Sequence, residues 1–169
     1  RQIGDISISV PLHNIYLAET DELVRVLSQD IGEWRHEPER HVQTNVVHAA
    51  HSLAGSSATV GFTPLQEIAH GLEIVLQCLA RRPVRLESAD YDAIEHAIDR
   101  IRFMLQMFAL GEMPEHEPHQ VALLAHLLKS LEERANAATV VHEPPAPSAI
   151  VPHDVVEPPV DENPVESDA

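Results

Sequence analysis

Apolar residues recur at intervals of three and four along most of this chain, the spacing of one helical face. The first stripe runs from about Pro11 to Trp34 through Leu12, Ile15, Tyr16, Leu23, Val26, Leu27 and Ile31, and His36-Glu37-Pro38 ends it. A second helix spans about Glu39 to Ala58, with Val42, Val46, Val47, Ala50, Leu53 and Ala54 as its apolar face. Gly61-Phe62-Thr63-Pro64 then punctuates the chain. Thr63 suits an N-cap, Pro64 the first helical position and Gln66 the far side of a capping box. The third helix runs from Pro64 to about Arg81, with Leu65, Ile68, Ala69, Leu72, Leu76 and Leu79 as its stripe and Pro83 beyond its end. A fourth runs from Ser88, as cap, to about Leu110, and a fifth from Pro118 to about Ala135. No convincing strand is read.

Short connections between long amphipathic helices favour antiparallel neighbours. The pattern therefore predicts an all-α fold. Helices two to five form an antiparallel up-down four-helix bundle, and the additional amino-terminal helix lies along one end or side. Aromatics make up only 4% of the chain, so Leu, Ile, Val and Ala must fill the core.

Charge divides the chain. The net charge of −16 argues against a nucleic-acid backbone or an anionic membrane as partner. From Glu143 onward there are seven acidic residues, seven of the 13 prolines, and no Lys, Arg or Gly. Such a segment reads as an acidic, Pro-rich, disordered linker. The predicted organisation is residues 1–10 as a leader or linker within a larger chain, 11–141 as the helical bundle and 142–169 as the linker. A single cysteine, Cys78, rules out an intrachain disulfide and suits a reducing compartment. No apolar run approaches the roughly 20 residues of a membrane span, and no signal peptide is read. A cytoplasmic location without membrane insertion is expected.

The chemistry centres on His51, with Gly55 four residues on. Positions i and i+4 share a helix face, so Gly55 lies beside His51 with no side chain to cover it. Glycine inside a helix costs roughly 1 kcal/mol against alanine. Two explanations fit: the imidazole is kept open to something large, or Gly55-Ser56-Ser57-Ala58 lets two helices cross closely. Glu73 is the second candidate. His51 lies ten residues before Gly61 and Glu73 ten after Thr63, so an antiparallel hairpin puts them at one height. A carboxylate there accepts from Nδ1–H of His51, fixes the tautomer and leaves Nε2 a free nucleophile. The plain alternative for Glu73 is a solvated helix residue. His70, one turn before Glu73, borders the same place.

The run His51-Ser52-Leu53-Ala54-Gly55 resembles the His-x-(Leu/Ile)-Lys-Gly core of histidine phosphotransfer (HPt) domains. Ala49-Ala50-His51-Ser52, Gly61-Phe62-Thr63, Leu65-Gln66-Glu67, His70 and Glu73 are similar to the amino-terminal phosphotransfer domain of CheA-type chemotaxis histidine kinases. So is Tyr16-Leu17-Ala18-Glu19-Thr20-Asp21-Glu22-Leu23 to that family's first helix. The resemblance covers roughly residues 12–135. It implies that His51 is the phosphoacceptor, that Glu73 orients its ring, and that His70, Gly55, Ser52 and Ala54 line the site. One departure stands out: the family's lysine is Ala54 here, which bears on the rate of phosphorylation and the choice of kinase. Alanine at this position is similar to the multi-HPt kinases of pilus-driven motility.

A domain of this kind carries a phosphoryl group and needs partners for everything else. No Gly-x-x-x-x-Gly-Lys loop or kinase-like Gly-rich segment is found, so no cofactor is expected on this domain. The implied partners are a histidine kinase catalytic domain, which holds ATP, and a response-regulator receiver domain, which brings its own aspartate; Mg²⁺ belongs to those partners. The chain would then be part of a larger histidine protein kinase. Two rivals remain. His36-Glu37-Pro38-Glu39-Arg40-His41 superficially resembles a zinc-protease motif, but its second His falls one residue late and Pro38 breaks the helix. The other is a phosphate-free helical docking module, a degenerate HPt fold in which the small-residue patch is a partner surface.

Overall fold

A computed structural model describes residues 1–141; the predicted linker, 142–169, lies outside the described residues. The fold is all-α but for one short ribbon. Strands β1 (Gln2–Ile3) and β2 (Ile6–Ser7) pair antiparallel, and helices α1 (Val10–His36), α2 (Thr44–Val60), α3 (Thr63–Arg81), α4 (Ser88–Ala109) and α5 (Pro118–Val141) follow.

The first ten residues, expected as a leader or linker, pair as the ribbon and pack on the bundle. Ile3 and Ile8 are buried with the bundle core, which anchors the ribbon to the end of the bundle. Ser9 caps α1, its Oγ accepting from the Leu12 backbone N–H at 3.2 Å, and Pro11 fits the first turn. The two predicted caps shift by one residue. Phe62 rather than Thr63 stands at the cap of α3, with no side-chain cap bond. Glu87 rather than Ser88 caps α4, in a reciprocal box with Asp90. The second helix starts at Thr44, five residues later than expected. Residues 37–43 instead fold back on α1, where Arg40 reaches Glu33 at 2.7 Å and Asp30 at 3.0 Å.

The expected helical bundle is present, with a different helix closing it. The ring is α1–α2–α3–α4, with α1 packed on both α2 and α4; α5 makes its extensive contacts with α3 and α4. The reason lies in α1, whose buried stripe carries Tyr16, Val24, Leu27, Ile31 and Trp34, a core face over about five turns. A helix with that much apolar surface belongs in the ring. Its polar core residues are all partnered: His13 donates to the Phe108 carbonyl at 2.9 Å, and Thr20 to the Tyr16 carbonyl at 2.7 Å. On the outer helix, Arg134 of α5 forks onto Asp90 at 2.8 and 2.9 Å. Gly71 permits the α3–α5 approach, since a Cβ there would lie 3.1 Å from Leu124 Cδ1.

Three of the six aromatics, Tyr16, Phe62 and Phe108, gather at the α2–α3 turn, while Trp34 and Tyr91 pair elsewhere. Phe62 stacks on Phe108 with centroids 4.4 Å apart, and Tyr16 meets Phe108 edge-on at 5.4 Å. The Tyr16 hydroxyl pairs with Ser57 Oγ at 2.7 Å, both residues buried. Burial drives the Tyr16 phenol well above its ordinary range. This bond ties α1 to α2. Tyr16→Phe is expected to cost about 1–2 kcal/mol, read as a lower urea midpoint at constant slope. In a Ser57→Ala background the same change should cost less, and equal losses in both backgrounds would mean that the bond adds nothing.

Candidate functional site

α2 and α3 form a hairpin joined by two residues, Gly61 and Phe62. Gly61 ends α2 in the left-handed conformation, φ 83°, and its N–H bonds Ala58. Phe62 N–H reaches back to the Ser57 carbonyl at 2.8 Å, a C-terminal cap that needs glycine at its centre. Phe62 then drops into the core, fully buried. The two helices leave this fixed point antiparallel, so residues equally far from it meet.

His51 and Glu73 do meet. His51 Nδ1 lies 2.8 Å from Glu73 Oε1. A carboxylate only accepts, so Nδ1 carries the proton and donates, and Nε2 keeps its lone pair. The burial of the two groups is opposite. The His51 side chain is 68% exposed, that of Glu73 only 9%. Glu73 is therefore no solvated helix residue: it sits at the bottom of the α2–α3 groove and supports the ring from beneath. Gln77, one turn further along α3, also donates to Oε1 at 3.4 Å. A buried carboxylate needs such partners to offset its lost hydration.

The other predicted residues divide. His70 is on the site's rim, exposed, with Nδ1 3.9 Å from Glu73 Oε2, too long for a hydrogen bond. Ser52 is half-buried beside His51, its Oγ 3.4 Å from His48 Nε2. Gly55 is exposed, and a Cβ there would meet nothing within 4 Å. Of its two explanations, the helix-crossing one fails at Gly55 itself: the close contacts with α1 are made by Ser57, on Tyr16, and by Ser56, whose Oγ donates to Glu19 at 3.0 Å. Ala54 does not line the open face. It is 8% exposed and packs with the core, because it falls on the α2 stripe with Ala50 and Ser57 rather than with His51.

Two neighbours were not anticipated. Gln77 was legible, being four residues after Glu73 on one helix face. His116, from the segment between α4 and α5, pairs with Glu67 at 2.9 Å, and nothing in linear spacing announces a contact across 49 residues. Among the described residues no three His, Cys, Asp or Glu side chains gather as a metal site. Cys78 on α3 is half-buried, and burial pushes its thiol up, away from reactivity. No helix among the described residues is long and apolar enough to cross a membrane.

Comparison with known proteins agrees with this geometry. The family model of the Hpt domain matches residues 11–103, more than half of the chain. The chain is 29% identical over 142 residues to the chemotaxis protein CheA of Klebsiella aerogenes, covering 82% of this chain and 22% of that protein. It is 27% identical over 140 residues to CheA of Salmonella typhimurium, covering 82% and 21%. With CheA of Bacillus subtilis it shares 34% identity over 67 residues, 40% of this chain and 10% of that protein. The matched stretch thus spans about a fifth or less of each relative. These relatives are chemotaxis proteins and lend no support to the pilus-motility likeness. The chain, a helical bundle with an exposed imidazole held by a buried carboxylate, belongs to the Hpt domain family, whose role is histidine phosphotransfer in two-component signalling.

Proposed function

We propose that this domain is the phosphocarrier of a chemotaxis-like phosphorelay, with His51 Nε2 as the atom that takes and gives the phosphoryl group. One observation carries the reading: an exposed ring whose inner nitrogen is committed to a buried carboxylate, leaving the outer nitrogen free. A degenerate docking module has no use for that arrangement, and a carboxylate buried solely to serve a surface histidine would cost stability for nothing.

The chemistry balances with these two residues. A nucleoside triphosphate held by a partner kinase domain presents its γ-phosphorus. The Nε2 lone pair forms the N–P bond as the bond to the β-phosphate oxygen breaks, and the diphosphate leaves. Nδ1 keeps its proton throughout, hydrogen-bonded to Glu73, so the positive charge gained by the ring is matched by the carboxylate below it. In the second transfer an aspartate of a receiver domain attacks phosphorus, the N–P bond breaks, and the neutral ring is restored. Neither step asks this domain for a nucleotide or metal of its own; ATP and Mg²⁺ belong to the partners in this reading. The open space at Gly55 supports access by two bulky domains in turn. A soluble location in the cytoplasm, beside the kinase, follows from the same proposal.

His51→Gln should abolish acid-labile label from ATP, with a CheA-type kinase domain supplied in trans, and leave the circular dichroism spectrum unchanged. Retained labelling in that variant would overturn the assignment. Glu73→Ala should slow uptake by roughly a hundredfold while the fold survives, the scale of a misplaced reacting atom; unchanged kinetics would mean that the ring is oriented by something else. Gly55→Ala separates fold from function. It should raise stability by about 0.5–1 kcal/mol through helix propensity, since the new methyl meets open space, yet slow transfer by crowding the approach. A variant both more stable and equally fast would show that the glycine serves neither purpose.

A further inference from the structure

A phosphoryl group in transfer spreads negative charge over its equatorial oxygens, and a site that receives it works better with a cation close by. Neither helix of the hairpin places a permanent one beside His51. Helix α2, Thr44–Val60, contains no Lys or Arg. Helix α3 contains only Arg81, its last residue, eight positions and about 12 Å of helical rise beyond Glu73. On α1, Arg25 is bound to Glu22 in an exposed pair three residues apart. What the face does carry is imidazole. His48 lies three residues before His51 on the same side of α2 and is exposed, and its Nε2 rests 3.4 Å from the Oγ of Ser52, four residues on. Ser52 is the residue next to His51. The tether is indifferent to charge, because a hydroxyl accepts from a protonated ring and donates to a neutral one.

From this geometry we infer that His48 supplies the positive charge facing the phosphoryl group on His51, so that the site takes up phosphate readily only while the His48 ring is protonated. The inference rests on the reading of His51 as phosphoacceptor. The ionisable groups of the flanking helices over this stretch do not replace His48. On α1, Glu19 is engaged by Ser56, Glu22 by Arg25, and Asp30 and Glu33 by Arg40. On α3, Glu73 is engaged by His51 and Gln77, Glu67 by His116, and Arg81 stands at the far end. His70 is the other imidazole on the rim, but it lies on the Glu73 side of the ring, 3.9 Å from that carboxylate. Its charge is then shared with an acid, whereas His48 has only a hydroxyl as partner. Imidazoles titrate between pH 5 and 8, where the charges of Lys and Arg do not change, so the consequence is a pH dependence that a lysine or arginine at the same place would lack.

The test compares three forms of the domain, wild type, H48R and H48A, each labelled from ATP by the same CheA-type kinase domain between pH 6 and 8.5. Ratios of rates cancel every pH dependence that the three forms share. The wild-type to H48R ratio should fall about tenfold across the range, the size expected of one partly screened charge a helical turn from the reacting group. The wild-type to H48A ratio should fall towards one at the alkaline end. A flat wild-type to H48R ratio would overturn the inference. So would a pH dependence that survives in H48R and disappears in H70Q, since the charge would then belong to His70. Labelling that persists in His51→Gln would instead remove the phosphoacceptor reading beneath it, and the two failures are told apart in one gel.

Discussion

The structure depends on the register of one helical hairpin. Gly61 ends α2 in a conformation that L side chains rarely adopt, and Phe62 is pulled into the core beside Phe108 and Tyr16. Those two residues fix where α3 begins. Had α3 slipped by one residue against α2, Glu73 would have rotated about 100° away from the groove. The result would be a carboxylate buried among apolar side chains or lost to solvent, and an imidazole free to spin. The 2.8 Å contact between His51 and Glu73 is thus a consequence of packing settled some ten residues away. Three of the six aromatics stand where that packing is decided.

The balance of exposure across this contact decides its chemistry. A surface ion pair is worth little because water competes for both partners. A fully buried one costs more than it returns unless it is completely satisfied. Here the carboxylate is inside and the imidazole outside, so the acid is held in place by protein while the base remains available to a visiting group. Gln77 shares the same oxygen and keeps the carboxylate from swinging. The arrangement resembles the orienting acid of a hydrolytic triad in its logic: the acid never leaves, and the ring changes charge above it.

Much of this was legible in the sequence, and for identifiable reasons. Helix spacing located all five helices because each carries a continuous apolar stripe. The hairpin count paired His51 with Glu73 because both positions are measured from a Gly-Phe turn whose geometry is rigid. The misses share a cause: they depend on contacts that linear spacing does not contain. The Gln2–Ser7 ribbon is too short to display a strand pattern, and its Ile3 is buried only because the bundle end receives it. The choice of α1 over α5 as the ring-closing helix was decided by competing amounts of apolar surface, not by order in the chain. Ala54 was placed at the site by its position in a motif, yet helical phase turns it to the core.

The position of α5 carries one more consequence. A ring closed by helices two to five would have laid α5 against α2 and narrowed the open side of that helix. Because α1 closes the ring instead, α5 is displaced to the α3–α4 side, where Gly71 lets it seat closely and Arg134 clamps it to Asp90. Among the described residues, the α2–α3 groove is left with helices beneath it and on its flanks but none above. The extra helix therefore adds to the core without covering the reactive ring. A carrier domain needs both properties together: a support stiff enough to hold one nitrogen in place, and an approach wide enough for two successive partners.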